Sequence, residues 1–318
     1  MRAVRYHEHG GPEVLQVDDV EAPDPGRGEV RVSIRAAGVN PVDTYFREGE
    51  YPVPDLPWQG GSDLAGVVSA VGEGVEEFST GDRVFGTGLG RTDPGTYAEE
   101  VVARTDRLAE LPEEVSFTEG AALALVGVTA WQAFVHHAGL EPGETCLVQS
   151  GSGGVGHVAV QLADAMGARV VTTASEKYHG HLRDLGADVT LDYHRDDLED
   201  AIGEAGAPDV VLETIMNEYF PMDARVAATG ARIVGIGNTA DEAPVPMSGK
   251  GKDLRFQLMT MYNTPDIGAV CDRLAYLAET GQVVPEIART YPLEDAAEAQ
   301  RAVLEDSFLG KLVLEVEQ

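Results

Sequence analysis

Lysine and cysteine are both scarce in this chain, and each shortage closes off a class of function. Lysine occurs only at Lys177, Lys250, Lys252 and Lys311. With 54 acidic residues against 23 lysines and arginines, the formal net charge is -31. A field of that sign repels nucleic-acid phosphates and anionic membrane surfaces, so neither is expected as a partner. The acids are interspersed, as in "HRDDLEDAIGEAG" and "TADEAP", and do not form a disordered acidic tail. Such a surface suits multimolar salt, where screening removes the self-repulsion. The composition therefore points to the cytoplasm of a halophile.

The two cysteines, Cys146 and Cys271, are far apart and belong to no CxxC pair. They can build neither a disulfide framework nor a cysteine zinc lobe. Cys146 lies in the apolar run "TCLV" and reads as a buried, inert thiol. The start, "MRAVRYHEHG", has no apolar core of the kind a signal peptide needs. The longest apolar stretch, "AALALVGVTAWQAFV", is too short for a membrane span and reads as a buried helix. At 43% hydrophobic and 24% charged, 318 residues suffice for two cored domains.

The first third is rich in Gly, Pro and short alternating runs. "MRAVRY", "EVLQVDDV", "GEVRVSIRAAGV", "LAGVVSAVG", "GDRVFG" and "GTYAEEVVA" predict half-buried strands between turns. After Glu119 the pattern changes. "TCLVQS", "ARVVTTA", "DVTLDY", "PDVVLET" and "ARIVGIG" are β-branched runs separated by helical segments, the mark of βαβ units in a parallel sheet. "DIGAVCDRLAYLAETG" adds an amphipathic helix and "KLVLEVE" a terminal strand. The expected fold class is α/β: a β-rich domain plus a doubly wound parallel-sheet domain. The boundaries read as residues 1–123 with 265–318 for the first and 124–264 for the second.

Between "TCLVQS" and "HVAVQLADAMGA" stands "GSGGVG", a strand, a glycine turn and a helix start. That context gives a G-x-G-x-x-G match its meaning. Gly151 permits the tight turn, Gly153 admits a pyrophosphate to the backbone amides, and Gly156 packs helix on strand; Gly154 and Val155 open the helix on which the phosphate sits. The competing readings are a bare strand-to-helix turn and a methyl donor such as S-adenosylmethionine. Preference between dinucleotides is decided after the second strand, where NAD sites usually carry an acid on the ribose. Here "VVTTASEK" places Ser175 and Lys177, able to bind a 2′-phosphate, and "LDYHRDD" supplies Tyr193 for the adenine and Arg195. The expected cofactor is NADPH, with Glu176 beside Lys177 as the complication.

The β-rich first domain, the apolar helix and "GSGGVG" together resemble the medium-chain dehydrogenase/reductase superfamily over essentially the whole chain. "GVNPVDTYFREGEYP", "GSDLAGVVSAVGEGV", "LDYHRDD" and "YPLEDAAEAQRAVLEDSFLGKLVL" are similar to its quinone oxidoreductase (zeta-crystallin-like) branch. The resemblance implies a GroES-like catalytic domain, a Rossmann cofactor domain, NADPH preference, a homodimer and no zinc. Where the zinc dehydrogenases carry a Cys ligand this chain has Asn40, and where they carry Gly-His-Glu it has Gly61-Ser62-Asp63. Asp63 alone holds no zinc. The histidine pairs His7/His9, His136/His137 and His179/His181 read as ordinary surface residues.

Without a Lewis acid, hydride delivery remains feasible to an acceptor already activated by conjugation, such as a quinone or an enone. The loop "NPVDTYFREGEYP" supplies the candidate catalytic residues Asn40, Asp43, Tyr45 and Tyr51. By the resemblance this loop lines the cofactor cleft, with Asn40 and Tyr45 nearest the nicotinamide. Tyr45 or Tyr51 is expected to bond the acceptor oxygen and Asp43 to orient its neighbours. Against this, Asp43 could simply cap a short helix, Asn40 serve a turn, and both tyrosines pack. Thr129 and Asn238 match family positions near the nicotinamide. Lys311 is expected either at the cofactor or paired with an acid. Phe256, Met259, Met261 and Tyr262 line an acceptor pocket or pack a dimer interface. Two alternatives stay open: an enoyl-thioester or 2-alkenal reductase on the same scaffold, and a non-catalytic NADPH-binding protein.

Overall fold

The computed structural model describes residues 1–237 and 242–317. It begins with β1 (Arg2–Tyr6), β2 (Leu15–Asp19), the 11-residue β3 (Glu29–Val39) and helix α1 (Pro41–Glu48). Then come β4 (Trp58–Gln59), β5 (Leu64–Val71), β6 (Arg83–Gly86), β7 (Glu100–Arg104), β8 (Leu108–Glu110) and α2 (Phe117–Trp131). A second run alternates β9 (Thr145–Val148), α3 (Gly154–Ala165), β10 (Arg169–Thr173), α4 (His179–Asp184), β11 (Val189–Leu191), α5 (Leu198–Ala205), β12 (Val210–Glu213), α6 (Met216–Val226), β13 (Arg232–Gly235) and β14 (Arg255–Leu258). The chain closes with α7 (Ile267–Glu279), β15 (Ile287–Pro292), α8 (Ala296–Glu305) and β16 (Lys311–Glu315).

These elements form two compact units, Met1–Val128 with Pro265–Gln318, and Thr129–Thr264. In the first, β3 is the spine. It pairs antiparallel with β5 on one edge, and on the other with β7 along its first half and β16 along its second. The rest of this seven-stranded sheet is added by β6, β8 and β15, while β2, β1 and β4 make a small antiparallel sheet. Val30, Val32, Ile34, Leu64, Val84, Leu312 and Leu314 fill the core, covered by Ala296 and Ala299 of α8.

The second unit is a six-stranded, wholly parallel sheet. Its order is β11-β10-β9-β12-β13-β14. Numbered within the unit that is 3-2-1-4-5-6, the doubly wound order whose switch point lies at the carboxyl ends of the first and fourth strands. The apolar runs that predict these strands are buried on both faces: Leu147, Val171, Val211 and Ile233 pack with Ile202 and Phe220. Phe117–Ala138, which is α2 and the π-helical turn after it, is long and apolar enough to cross a membrane. Since 78% of its most apolar window is buried in the protein, it is a core helix, as its sequence predicts.

Candidate functional site

The chemistry-bearing residues of the first unit gather at the start of α1. "NPVD" is a helix N-terminus by composition, with Pro41 in the first turn and an acid three residues after Asn40. The Asp43 carboxylate accepts the Asn40 backbone N–H at 2.9 Å, so Asp43 does cap its own helix. It also accepts the Tyr97 hydroxyl at 2.9 Å, and Ser62 Oγ lies 3.2 Å away. Asn40 donates from Nδ2 to Asp63 Oδ2 at 2.9 Å, and its Oδ1 accepts from Lys311 Nζ. The same ammonium donates to the Val39 carbonyl at 2.8 Å and stands 3.9 Å from Asp63. Asp63 also accepts the Leu125 N–H at 2.9 Å. Asn40, Asp43, Ser62, Asp63, Tyr97 and Lys311 are all buried.

Two carboxylates and one ammonium thus share a dry site. Burial, reinforced by the charge of Asp63, pushes the Asp43 carboxyl up to about 6. Burial likewise raises Asp63, opposed by Lys311, and lowers the Lys311 ammonium. Of the two places expected for Lys311, at a cofactor or paired with an acid, its contacts are those of the second: the pairing of β16 with β3 sets it beside Asn40 and facing Asp63. The Asn40 side chain is buried and bonds Asp63 and Lys311, contacts that position the start of α1.

α1 is held firmly. Arg47, fully buried on its last turn, donates to the Gly10 carbonyl at 2.9 Å and to Gln300 of α8. Tyr45 is half-buried on this helix and meets Tyr51 edge-on, with ring centroids 5.7 Å apart at 81°. Tyr51 is 48% exposed. Of the four acceptor-side candidates, only these two tyrosines are accessible.

In the second unit, β9 ends at Val148 and Ser150 turns the chain at φ 56°. A Cβ on Gly151 would collide with Thr172 Oγ1, and one on Gly156 with the Ser150 carbonyl, so both positions demand glycine. Gly153 is the N-cap of α3 and brings no side chain to its amides. The first-turn N–H groups of Gly154, Val155 and Gly156 are left for an anion. The cradle fits a pyrophosphate. Past β10, Ser175 Oγ lies 3.3 Å from Tyr193 OH. Lys177 is exposed, its ammonium 4.6 Å over the Tyr178 ring. Tyr193 is 41% exposed. Arg195 is engaged with both oxygens of Asp197 at 2.7 and 2.9 Å, so its guanidinium already carries a carboxylate. Thr129 is buried in α2. Asn238 lies outside the described residues. Phe256 is partly buried and packs edge-on against Phe220, while Met261 is buried.

Residues 26–113 match the alcohol dehydrogenase GroES-like domain family and residues 185–314 the zinc-binding dehydrogenase family. The human quinone oxidoreductase is 35% identical over 324 residues, covering 99% of this chain and 97% of its own. The chain belongs to the quinone oxidoreductase family. Among solved structures, an NAD-dependent alcohol dehydrogenase superposes with a TM-score of 0.92 at 34% identity, covering 100% of both chains. The Escherichia coli quinone oxidoreductase complexed with NADPH does so with 0.89 at 27% identity, covering 99% of this chain and 100% of that one.

The zinc named by the second family does not fit the residues present. Asn40 donates to Asp63 and Ser62 to Asp43, and the Lys311 ammonium already supplies the cation facing Asp63. Among the described residues no three His, Cys, Asp or Glu side chains come together as a ligand set. Sequence reasoning missed Tyr97 and read Ser62 only as the absence of a zinc ligand. The one usable signal for Asp63 was an acid inside the otherwise apolar "GGSDLAGVV".

Proposed function

We propose that the protein is an NADPH-dependent reductase that passes reducing equivalents to a quinone or another conjugated carbonyl, without zinc. The observation that carries this reading is the end of β10. There Ser175 stands beside Tyr193 and an exposed Lys177 follows two residues later, groups of the kind a 2′-phosphate needs, downstream of a glycine turn that can take a pyrophosphate. Gly151, Gly153, Gly154, Val155 and Gly156 hold the diphosphate. Lys177 and Ser175 take the 2′-phosphate and Tyr193 covers the adenine. Arg195 is secondary, because Asp197 competes for it. Bound NADPH supplies the hydride. An acceptor already polarised by conjugation needs orientation and a hydrogen-bond donor more than a Lewis acid. Tyr45 or Tyr51 gives that donor, while Asp43, Asn40, Asp63 and Lys311 hold α1 in place from behind.

The open side of β14 supports a homodimer: this edge strand exposes Leu258, and Val245 and Met247 lie exposed in the preceding segment. The acidic, lysine-poor composition supports a cytoplasm of high salt. The test is oxidation of NADPH in multimolar KCl with benzoquinone, naphthoquinone, crotonaldehyde and crotonyl-CoA, each with and without EDTA. Turnover on quinones unaffected by chelator supports the reading. Turnover confined to the enal or the thioester reassigns the acceptor, and bound NADPH with no turnover overturns the enzyme. Loss of activity in EDTA overturns the zinc-free chemistry.

A further inference from the structure

Beneath the glycine loop lies a second pair of buried acids that the proposed chemistry leaves unused. Glu213 closes β12 and Asp223 sits on α6, and neither is exposed to solvent. Their carboxyls are in hydrogen-bonding contact. Glu213 Oε1 accepts the Ile215 N–H, and Asp223 Oδ1 accepts from Gln149 Nε2 at 3.0 Å. The remaining oxygens, Glu213 Oε2 and Asp223 Oδ2, find no donor among the described residues. Ionised carboxylates only accept, so two of them in contact cannot satisfy each other. One proton shared between them satisfies both.

We propose that Glu213 and Asp223 hold one proton between them, and that this proton fixes Gln149 and with it the glycine loop. Gln149 is the residue through which β9 enters the loop. Its Oε1 accepts the Thr173 hydroxyl at 2.6 Å, and its backbone N–H donates to Leu212 at 3.0 Å. Next to it, Thr214 donates to Ser150 Oγ at 2.9 Å and the Ser150 N–H reaches Thr173 at 3.2 Å. The acid pair therefore ties the carboxyl ends of β9, β10 and β12 together directly under the loop.

The surroundings favour keeping the proton. Glu218 and Tyr219 face the pair from α6, with Tyr193 beyond Tyr219; Gln149, Thr173 and the N–H groups of Thr214 and Ile215 face it as neutral groups. Neither carboxyl has a salt bridge among the described residues. Burial raises both groups, and the charge of Glu213 raises Asp223 further, while the hydrogen bond from Asp223 holds Glu213 down, so the proton rests on the Asp223 side of the pair. When the proton leaves in alkali, two anions in contact push apart. Asp223 then releases Gln149, or Glu213 releases Ile215, and the loop loses its support.

This inference rests on the reading that the loop binds a dinucleotide. The test uses the full-length protein and NADPH fluorescence titration from about pH 6 to 10. Wild-type affinity is expected to fall by up to about tenfold per pH unit once the pair ionises. Glu213→Leu, which strands Asp223, is expected to bind weakly at every pH. Glu213→Gln, whose amide donates permanently to Asp223, is expected to restore binding with a flat profile; Asp223→Asn should do the same. A Glu213→Gln profile parallel to wild type overturns the proposal.

Thermal unfolding of the ligand-free protein keeps the proton separable from the cofactor reading. A folded-state pKa raised above the unfolded one means stability that is lost as pH rises through the raised value. Wild type should therefore lose melting temperature in alkali while Glu213→Gln does not. No NADPH binding by wild type at neutral pH defeats the dinucleotide reading alone. Superimposed melting profiles defeat the shared proton.

Discussion

Replacing Lys311 with methionine removes the one cation from a site that holds two buried carboxylates. The side-chain volume is nearly kept, so the loss is electrostatic. Removing one partner of a buried ion pair costs about 3–5 kcal/mol, because the other charge stays behind without compensation. Asp63 retains the Asn40 amide and the Leu125 N–H, which places the expected cost near the lower end, about 3 kcal/mol. The Val39 carbonyl and Asn40 Oδ1 lose their donor as well, for about 1 kcal/mol more. For a domain of this size, about 4 kcal/mol corresponds to a fall in Tm of about 8–16 °C. The loss should depend on pH. In the variant, loss of the ammonium raises the folded pKa of Asp63 still further above the unfolded carboxylate value, so Asp63 can escape its penalty by taking up a proton. Stability tied to a raised carboxyl is present at low pH and lost as pH rises, so the variant recovers part of its deficit on acidification. Asp43, already pushed up to about 6, is largely protonated at pH 5 and adds no second charge there. Circular dichroism melts should therefore show about half the deficit at pH 5 that they show at pH 8. Multimolar KCl should leave it in place, since a dry pair is screened little. A fall of less than about 2 °C at pH 8, or equal falls at both pH values, would refute the charged cluster. It would show Lys311 and its acids to be neutral together.

Three further outcomes follow from the site. Gly156→Ala drives a methyl group into the Ser150 carbonyl and should weaken NADPH binding at least tenfold, with about 1–3 kcal/mol of overpacking read as a lower Tm. Lys177→Ala should raise the KM for NADPH about fivefold and leave NADH unchanged, the modest size reflecting an exposed ammonium; Arg195→Ala, whose guanidinium is already paired with Asp197, should change either by less than about twofold. Equal effects of Lys177→Ala on both cofactors would remove the 2′-phosphate from the account. Of Tyr45→Phe and Tyr51→Phe, the one that carries the acceptor hydrogen bond should lower kcat for quinone by about 10–100-fold without changing the NADPH Kd, and two silent variants would make both rings packing residues.

The doubly wound domain was legible because its strands are continuous β-branched runs, such as "RVVTT" and "DVVLE", with no polar face to hide them. Strand β14, "RFQL", escaped notice because it is an edge: Arg255, Gln257 and Leu258 are exposed and only Phe256 reaches the core. Strand β15 is masked in the same way by the exposed Arg289 and Thr290, and β4 is two residues long. The phosphate loop could be read from local spacing alone. The buried cluster could not, since Asp63 and Lys311 are brought together by the pairing of both β5 and β16 with β3. The same holds for Gln149 and Asp223, whose contact depends on how α6 returns across the sheet.

The first unit is interrupted in sequence by the second, and this fixes an order of completion. Made from its N-terminus, the chain finishes the continuous Thr129–Thr264 unit while the earlier unit still lacks β16. At about 5–20 residues per second, β3 waits about 15–55 s for that neighbour. During that interval half of one edge of β3 is an open template for foreign strands, and Asp63 has no ammonium to face. Translation through Lys311 supplies both the missing strand and the missing charge, so β16 acts as the latch of a domain begun some three hundred residues earlier.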